Sequence, residues 1–305
     1  MTDIVGKRFR FFIISGIIIL VSIISLANFG LKPGIEFSSG SMMTVHFEQE
    51  IDENDLKQEL TGLDYPNAII QQTGEGDFLI RTGELTSEDK AELTNALTAR
   101  FGPTSESEFY SVSPMVAAET ARNAGIAIGV AAVGILLYIT WAFRKMPKPF
   151  RYGTCAIIAL GHDSLVALGI FSILGGVLGW EINLMFITGI LAVVGYSVNN
   201  TVVVFDRIRE NLKRGVSPDF KVVVNNSLVE TLSRSLNTSL TTLFVVLALL
   251  LFVGASIQNF AVVLLIGIVA GTFSSICIAP NLLIVWERGE WGRLFRRVFA
   301  KAGGG

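Results

Sequence analysis

The residues of this chain that could do chemistry lie inside apolar runs. Asp163, beside His162, falls near the middle of a stretch that otherwise lacks charge. A carboxylate held in such surroundings is costly to ionise and can exchange a proton. The same group would equally anchor a hydrogen bond to a neighbouring helix. Ser197, Asn200 and Thr201 fall at i, i+3 and i+4, so they share one helical face. Arg234, Asn237, Thr238 and Thr241 fall at i, i+3, i+4 and i+7, again one stripe. The two stripes occupy matching halves of consecutive apolar segments and are expected to meet. A hydrated site between them suits ion movement or a conformational switch. Interhelical hydrogen bonding is the plain alternative, and Arg234 could simply snorkel to an interface. There is no Walker A loop, zinc-ligand spacing, GxSxG elbow or dinucleotide fingerprint. Cys155 and Cys277 sit in apolar runs and read as small core hydrophobes. The chain is therefore expected to hold no catalytic residue, metal or cofactor, and is not read as an enzyme.

The elements that position these residues are membrane spans. Of 305 residues, 51% are hydrophobic and 16% charged, against about 25% charged in an average soluble domain. That excludes an ordinary soluble enzyme and a disordered chain. The net charge of −2 gives no basic field for nucleic acid. A transmembrane helix needs about 20 mostly apolar residues. Stretches at about 11–29, 125–143, 153–174, 182–205 and 260–286 meet that need. A fifth in chain order has a short apolar heart at 243–253 and must extend back towards Ser233, which draws a polar turn into the bilayer. GxxxG spacing at Gly125/Gly129 and Gly267/Gly271 permits close helix approach.

Of the 24 basic residues, 18 flank one side of these spans: Lys7, Arg8 and Arg10, then Arg144 to Arg151, Arg207 to Arg234 and Arg288 to Lys301. By the positive-inside rule that side is cytoplasmic, with both termini on it. The first span reads as an uncleaved signal anchor. Segment 30–122 holds 17 of the 26 acidic residues and the other six basic ones, a surplus of 11 negative charges, and reads as a soluble domain on the far side. The expected organisation is 1–29 as N-terminus and first span, 30–122 as the extracytoplasmic domain, 123–287 as a five-helix bundle with a cytoplasmic loop at 206–232, and 288–305 as a basic tail. Surface helices are expected in that loop, one over 206–213 ending at Gly215 and another starting at Ser217-Pro218.

Within 30–122 the order is strand, helix, strand, strand, helix, strand. Alternating Met43, Val45 and Phe47 mark a strand over 41–48, and Asp52 is placed to cap a helix over 53–60. Strands over 68–72 and 78–82 form a hairpin across Gly74-Glu75-Gly76-Asp77. Ser87 is expected to cap a helix that Gly102-Pro103 ends, and the last strand covers 108–112. This is the split βαβ, ferredoxin-like α+β order. The predicted fold is thus a polytopic α-helical membrane protein of six transmembrane helices carrying a ferredoxin-like extracytoplasmic domain.

Several segments together resemble one family. They are Gly34-Ile35-Glu36-Phe37, Ala159-Leu160-Gly161-His162-Asp163, the run from Val194 to Asn211, the run from Arg234 to Thr242, and the run from Ser274 to Pro280. The chain resembles the SecF side of the SecD/SecF protein translocase family, of the resistance-nodulation-division superfamily. The resemblance implies an accessory subunit in the bacterial inner membrane. It implies pairing with SecD, action with the SecYEG channel downstream of SecA, and use of the ion gradient to draw unfolded preprotein across the bilayer. It also implies that Asn200 and Arg234 occupy the family's ion-relay positions. Asp163, Asn200 and Arg234 are therefore the coupling candidates, with Ser197, Thr201, Asn237, Thr238 and Thr241 in support. A small-molecule or lipid transporter of the same superfamily and a non-transporting scaffold of the export complex are the alternatives.

Two departures stand out. The family usually reads Asn-Asp-Thr where this chain has Asn199-Asn200-Thr201, and an amide carries neither a proton nor a full negative charge. Either SecD carboxylates carry the relay, Asp163 substitutes, or coupling uses another ion or is lost. The family also tends to Phe-Thr-Gly-Gly-Thr where this chain has Phe37-Ser38-Ser39-Gly40-Ser41, which puts Ser39 in a glycine position.

Overall fold

The computed structural model describes residues 3–72, 76–252 and 257–291. A short 3-10 turn, Val5–Lys7, precedes α1 (Arg8–Phe29), which is followed by α2 (Ile35–Ser38), β1 (Gly40–Phe47), α3 (Glu53–Gly62), β2 (Ile69–Gln72), β3 (Phe78–Thr82), α4 (Ser87–Phe101) and β4 (Thr104–Val112). Among the described residues six further helices follow: α5 (Pro114–Ala142), α6 (Phe150–Leu178), α7 (Leu184–Lys213), α8 (Phe220–Phe252), α9 (Gln258–Cys277) and α10 (Ala279–Arg288). Contacts divide the chain into two compact units, Pro33–Gly125 and the residues on either side of it.

The smaller unit is one sheet of order β2-β3-β1-β4 with α3 and α4 packed on one face and the short α2 leading into β1. All of its pairings are antiparallel, with Met43 opposite Ile80 and Val45 opposite Phe78. Alternation sends Met43, Val45, Phe47, Phe78 and Ile80 to one face. There they bury against Leu56 and Leu60 of α3 and Leu93 and Leu97 of α4. The Asp52 side chain caps α3 by accepting from the Asn54 N–H at 2.7 Å. Helix α4 is capped one residue earlier than expected. Thr86, not Ser87, closes a reciprocal capping box with Asp89, because the carboxylate three residues on reaches back to its N–H. The last strand starts four residues before the expected Glu108 and pairs along β1 through a bulge at Thr44/Val45. Of the expected hairpin turn, Gly74 and Glu75 lie outside the described residues.

The larger unit is a bundle, and six helices are long and apolar enough to cross a membrane. The α5 helix starts at Pro114, eleven residues before the expected span. The 206–232 segment is mostly helix rather than loop. Helix α7 runs on to Lys213 and α8 begins at Phe220. The two expected surface helices are therefore the ends of two long ones, and Gly215 (φ +65°) lies in the turn between them. The sixth span is broken at Ile278, two residues before Pro280, whose missing N–H cannot continue the ladder.

Helices pack closely where small residues allow it. A Cβ on Gly169 of α6 would lie 2.3 Å from the Ser22 side chain of α1, and one on Gly267 of α9 would lie 2.0 Å from Val193 of α7. The Gly125/Gly129 pair has nothing within 4 Å of its added Cβ positions and makes no such contact. At the end of the bundle that carries the basic residues, Arg8 forms a buried 2.6 Å ion pair with Glu290. Arg151 pairs with Glu287 at 2.5 Å, and Arg288 with Asp219 at 2.5 Å. The side chain of Asn225 accepts from the Ile4 and Val5 N–H groups at 2.9 and 3.2 Å. These contacts tie the turn before α1, the start of α6 and the start of α8 to α10 or to each other.

Candidate polar site within the helical bundle

Asp163 stands near the middle of α6 and is fully buried. Its Oδ2 accepts hydrogen bonds from Ser197 Oγ of α7 at 2.6 Å and from Ser274 Oγ of α9 at 2.7 Å. Its Oδ1 lies 3.0 Å from His162 Nδ1. One carboxylate therefore clamps three helices. The seam that brings the two serines to it is set by Gly271, where an added Cβ would lie 3.0 Å from that of Ser197. The Thr201 hydroxyl donates back to the Ser197 carbonyl at 3.1 Å, the usual way a helix satisfies a buried threonine. The His162 ring is buried against Phe273, with centroids 6.2 Å apart. Among the described residues its Nε2 has no hydrogen-bond partner.

A second cluster lies beside the first. Ser239 of α8 is its hub, touched by Tyr196 Oη at 3.0 Å, Thr272 Oγ1 at 2.6 Å and Asn200 Nδ2 at 3.4 Å. Ser197, Asn200 and Thr201 do share the buried face of α7.

The α8 stripe is placed differently from expectation. Arg234, Asn237, Thr238 and Thr241 are exposed, and the face α8 turns to its neighbours is Ser235 and Ser239. The expected meeting of the two polar stripes does not occur. The threonine hydroxyls need no neighbour. Thr238 donates to the Arg234 carbonyl at 2.9 Å and Thr241 to that of Asn237 at 3.0 Å. On α7, Asn199 is also exposed, one turn from Val203. Val203 in turn lines a shallow groove with Asp206, Arg207, Glu210, Glu230, Thr231 and Arg234. The carboxylates there are engaged: Glu230 holds Arg207 at 2.5 Å and Asn211 at 3.0 Å, and Glu210 holds Arg207 and Arg214. Among the described residues no group of His, Cys, Asp and Glu is arranged to hold a metal ion.

The sequence reading singles out Asp163 but does not assign Ser239, Thr272 or Ser274 to the site. The available signal is the cluster Thr272, Ser274 and Ser275, which follows the Gly267/Gly271 pair in an apolar helix.

The family described as protein export membrane protein SecD/SecF, C-terminal, matches residues 93–289, and the SecD/SecF GG motif matches residues 24–51. Ser39-Gly40 falls in the latter. The chain is 44% identical to the protein translocase subunit SecF of Thermobaculum terrenum, over 99% of both chains. It is 40% identical to that of Anaerolinea thermophila, over 97% of this chain and 98% of the relative. It is 33% identical to the protein translocase subunit SecDF of Bacillus subtilis, over 94% of this chain but 38% of that longer one. The crystal structure of SecDF from Thermus thermophilus, a translocon-associated membrane protein, superposes with a TM-score of 0.83 at 31% identity. That match covers 94% of this chain and 39% of the other. A six-span bundle with a small antiparallel α+β unit, matched in sequence along almost its whole length, belongs to the SecD/SecF family of protein translocase subunits, on its SecF side.

Proposed function

We propose that this chain is an accessory subunit of the Sec protein-export machinery that works as a pair with a SecD subunit. In this reading the pair uses the transmembrane ion gradient to draw preproteins outward after their SecA-driven passage through SecYEG. The observation that carries the pairing is the exposed polar face of α7 and α8. Asn199, Asn237, Thr238 and Thr241 are exposed on helices long and apolar enough to cross a membrane, and Arg234 lies beside them where this face runs into the groove lined by Asp206, Glu210 and Glu230. Side-chain amides turned to hydrocarbon without a hydrogen-bond partner cost free energy, so other membrane helices cover this face. The longer SecDF relatives, of which this chain matches about two-fifths, carry the remaining length in the same polypeptide, and in this reading a separate SecD subunit is its counterpart. In this reading the positive-inside rule, applied to the basic residues, has both termini in the cytoplasm and segment 30–122 on the outer side of the inner membrane.

Arg234 is the coupling residue of that face, awaiting a carboxylate from the partner. Asn200 keeps a hydrogen bond to Ser239 but carries no proton. Mild-detergent purification of the tagged chain is expected to recover a SecD subunit. Arg234→Ala is expected to slow export of a secreted reporter while that pair still assembles. Unchanged export at native expression levels overturns the coupling role, and recovery of the chain alone overturns the pairing.

A further inference from the structure

We infer that His162 and Asp163 form a dyad that takes up and releases one proton inside this subunit, standing in for the carboxylate that Asn200 lacks. The inference rests on the export reading only for its link to transport; the proton site itself stands on geometry. Asp163 and His162 are the only carboxylate and the only imidazole in the middle thirds of the six spans. The carboxylate is ringed by donors: two serine hydroxyls on Oδ2 and the imidazole on Oδ1. With His162 neutral and its Nδ1–H turned to Asp163, both oxygens of the ionised carboxylate are hydrogen-bonded. Nε2 then remains a bare, buried acceptor. That nitrogen is the port. A proton arriving there gives an imidazolium–carboxylate pair, or, passed on through Nδ1, a neutral acid beside a neutral imidazole. In both cases the dyad gains one proton and goes from net −1 to neutral, and the step reverses when the proton leaves.

Among the described residues no charged group competes for it. Helix α1 lies along α6 with Ser22 on Gly169 and Phe29 on Gly176, a constant offset that puts Ser15 level with His162. The α1 cation Arg8 is paired with Glu290. Helix α7 presents Ser197, and its Tyr196 phenol is turned to Ser239. Helix α9 presents Phe273 and Ser274, with the Cys277 thiol one turn on, and α6 itself carries Cys155 two turns back. Glu287 of α10 is engaged with Arg151 and Lys148.

Protonation matters mechanically because a carboxylic acid must donate its own O–H. Passed on through Nδ1, the proton rests on Oδ1 and its O–H donates back to Nδ1. Oδ2 keeps both serines but as a neutral acceptor, and since charge-assisted hydrogen bonds are about twice as strong as neutral ones, the clamp of α6 on α7 and α9 weakens. Ser197 sits against Gly271 and one turn from Asn200, which contacts Ser239 of α8. The disturbance therefore reaches the helix that carries Arg234.

The test uses the full chain co-purified with its SecD partner in sodium-free proteoliposomes, followed by infrared difference spectroscopy on a pH jump. A carboxyl and an imidazole signal with one shared midpoint are expected. Asp163→Asn is expected to remove the carboxyl signal. His162→Gln is expected to displace its midpoint by tenfold or more in proton concentration. Asn200→Asp is expected to add a second signal without removing the first. Should Asp163→Asn fail to assemble, Ser274→Ala retains both ionisable groups and must displace the same midpoint. A carboxyl signal that survives Asp163→Asn, a midpoint indifferent to His162→Gln or Ser274→Ala, or one that moves with added sodium at fixed pH overturns the dyad. The dyad stands if the signals behave as expected while export is flat with pH; that result instead counts against gradient coupling through this subunit.

Discussion

Ser39→Gly is expected to stabilise the 33–125 unit. Ser39 has φ +64° and ψ 167°, a backbone region that is essentially reserved for glycine and costs other residues of order 1–3 kcal/mol. Its N–H still closes the α2 turn on the Ile35 carbonyl at 2.9 Å, so the conformation is imposed by its surroundings. Next to it, Gly40 has φ +125°, and a Cβ there would lie 2.6 Å from the Thr82 carbonyl oxygen of β3. The chain must enter β1 along this path if Ser41 is to face Thr82 in the β1–β3 register. Glycine at position 39 relieves the strain but costs about 0.5–1 kcal/mol of additional unfolded-state entropy. The net gain is about 0.5–2 kcal/mol, about 2- to 30-fold in the local opening equilibrium. Hydrogen exchange by mass spectrometry on the full chain in nanodiscs reads this as increased protection of β1 and β3 amides. Ser39→Ala keeps the strain and is expected to show no gain. The reasoning is refuted if Ser39→Gly leaves protection unchanged or lowers it, or if Ser39→Ala stabilises equally.

The converse change, Gly40→Ala, drives a side chain into a backbone carbonyl that has no rotamer to yield and should sharply lower protection of the same strands. At the α7–α9 seam, Gly267→Ala is expected to cost about 1–3 kcal/mol by overpacking against Val193, and Val193→Ala to recover part of it; additive thermal shifts for the pair would refute direct contact. Removing one partner of the buried Arg8–Glu290 pair, as in Glu290→Gln, should cost about 3–5 kcal/mol, measured as loss of thermal stability in detergent. In the soluble unit, hydrogen bonds from the Thr86 backbone and then its hydroxyl hold Asp89 below the ordinary 3.8. A depressed carboxylate value means stability that is present above the ordinary value and lost as pH falls through the lowered one. Thr86→Ala should shrink that acid-labile share, seen as a weaker dependence of α4 protection on pH below about 4. Asn200→Asp places a carboxylate beside Ser239 and should increase the pH dependence of export; flat profiles for both forms would refute it.

The sheet order was readable because each of its signals is local. Alternation at Met43, Val45 and Phe47, the cap at Asp52 and the break at Gly102 each act within a few residues, while the cap of α4 falls at Thr86, one residue before the expected Ser87. The bundle interior was not readable the same way, and Arg234 shows why. In water, a polar stripe on an amphipathic helix identifies the outward face, and the apolar stripe identifies the core. In lipid, hydrocarbon does not drive apolar side chains inward, and interfaces go to small and hydroxyl-bearing residues that permit close approach. On α1 the buried positions include Ser15, Ser22 and Ser25, while Ile17, Leu20, Val21 and Ile24 are exposed. On α8 the same logic buries Ser235 and Ser239 and leaves the more polar Arg234, Asn237 and Thr238 outside. Polarity along a span thus marks two different things. On α8 the small hydroxyls Ser235 and Ser239 mark the contact within the chain, and the larger Arg234, Asn237 and Thr238 mark the exposed face. Asp163 escaped this ambiguity because a lone carboxylate in the middle of a span must be buried and paired within its own bundle, and its position alone gave that. Its serine partners on α7 and α9 could be found only from the structure, since the seam that delivers them depends on Gly267 and Gly271 meeting α7 in one particular register.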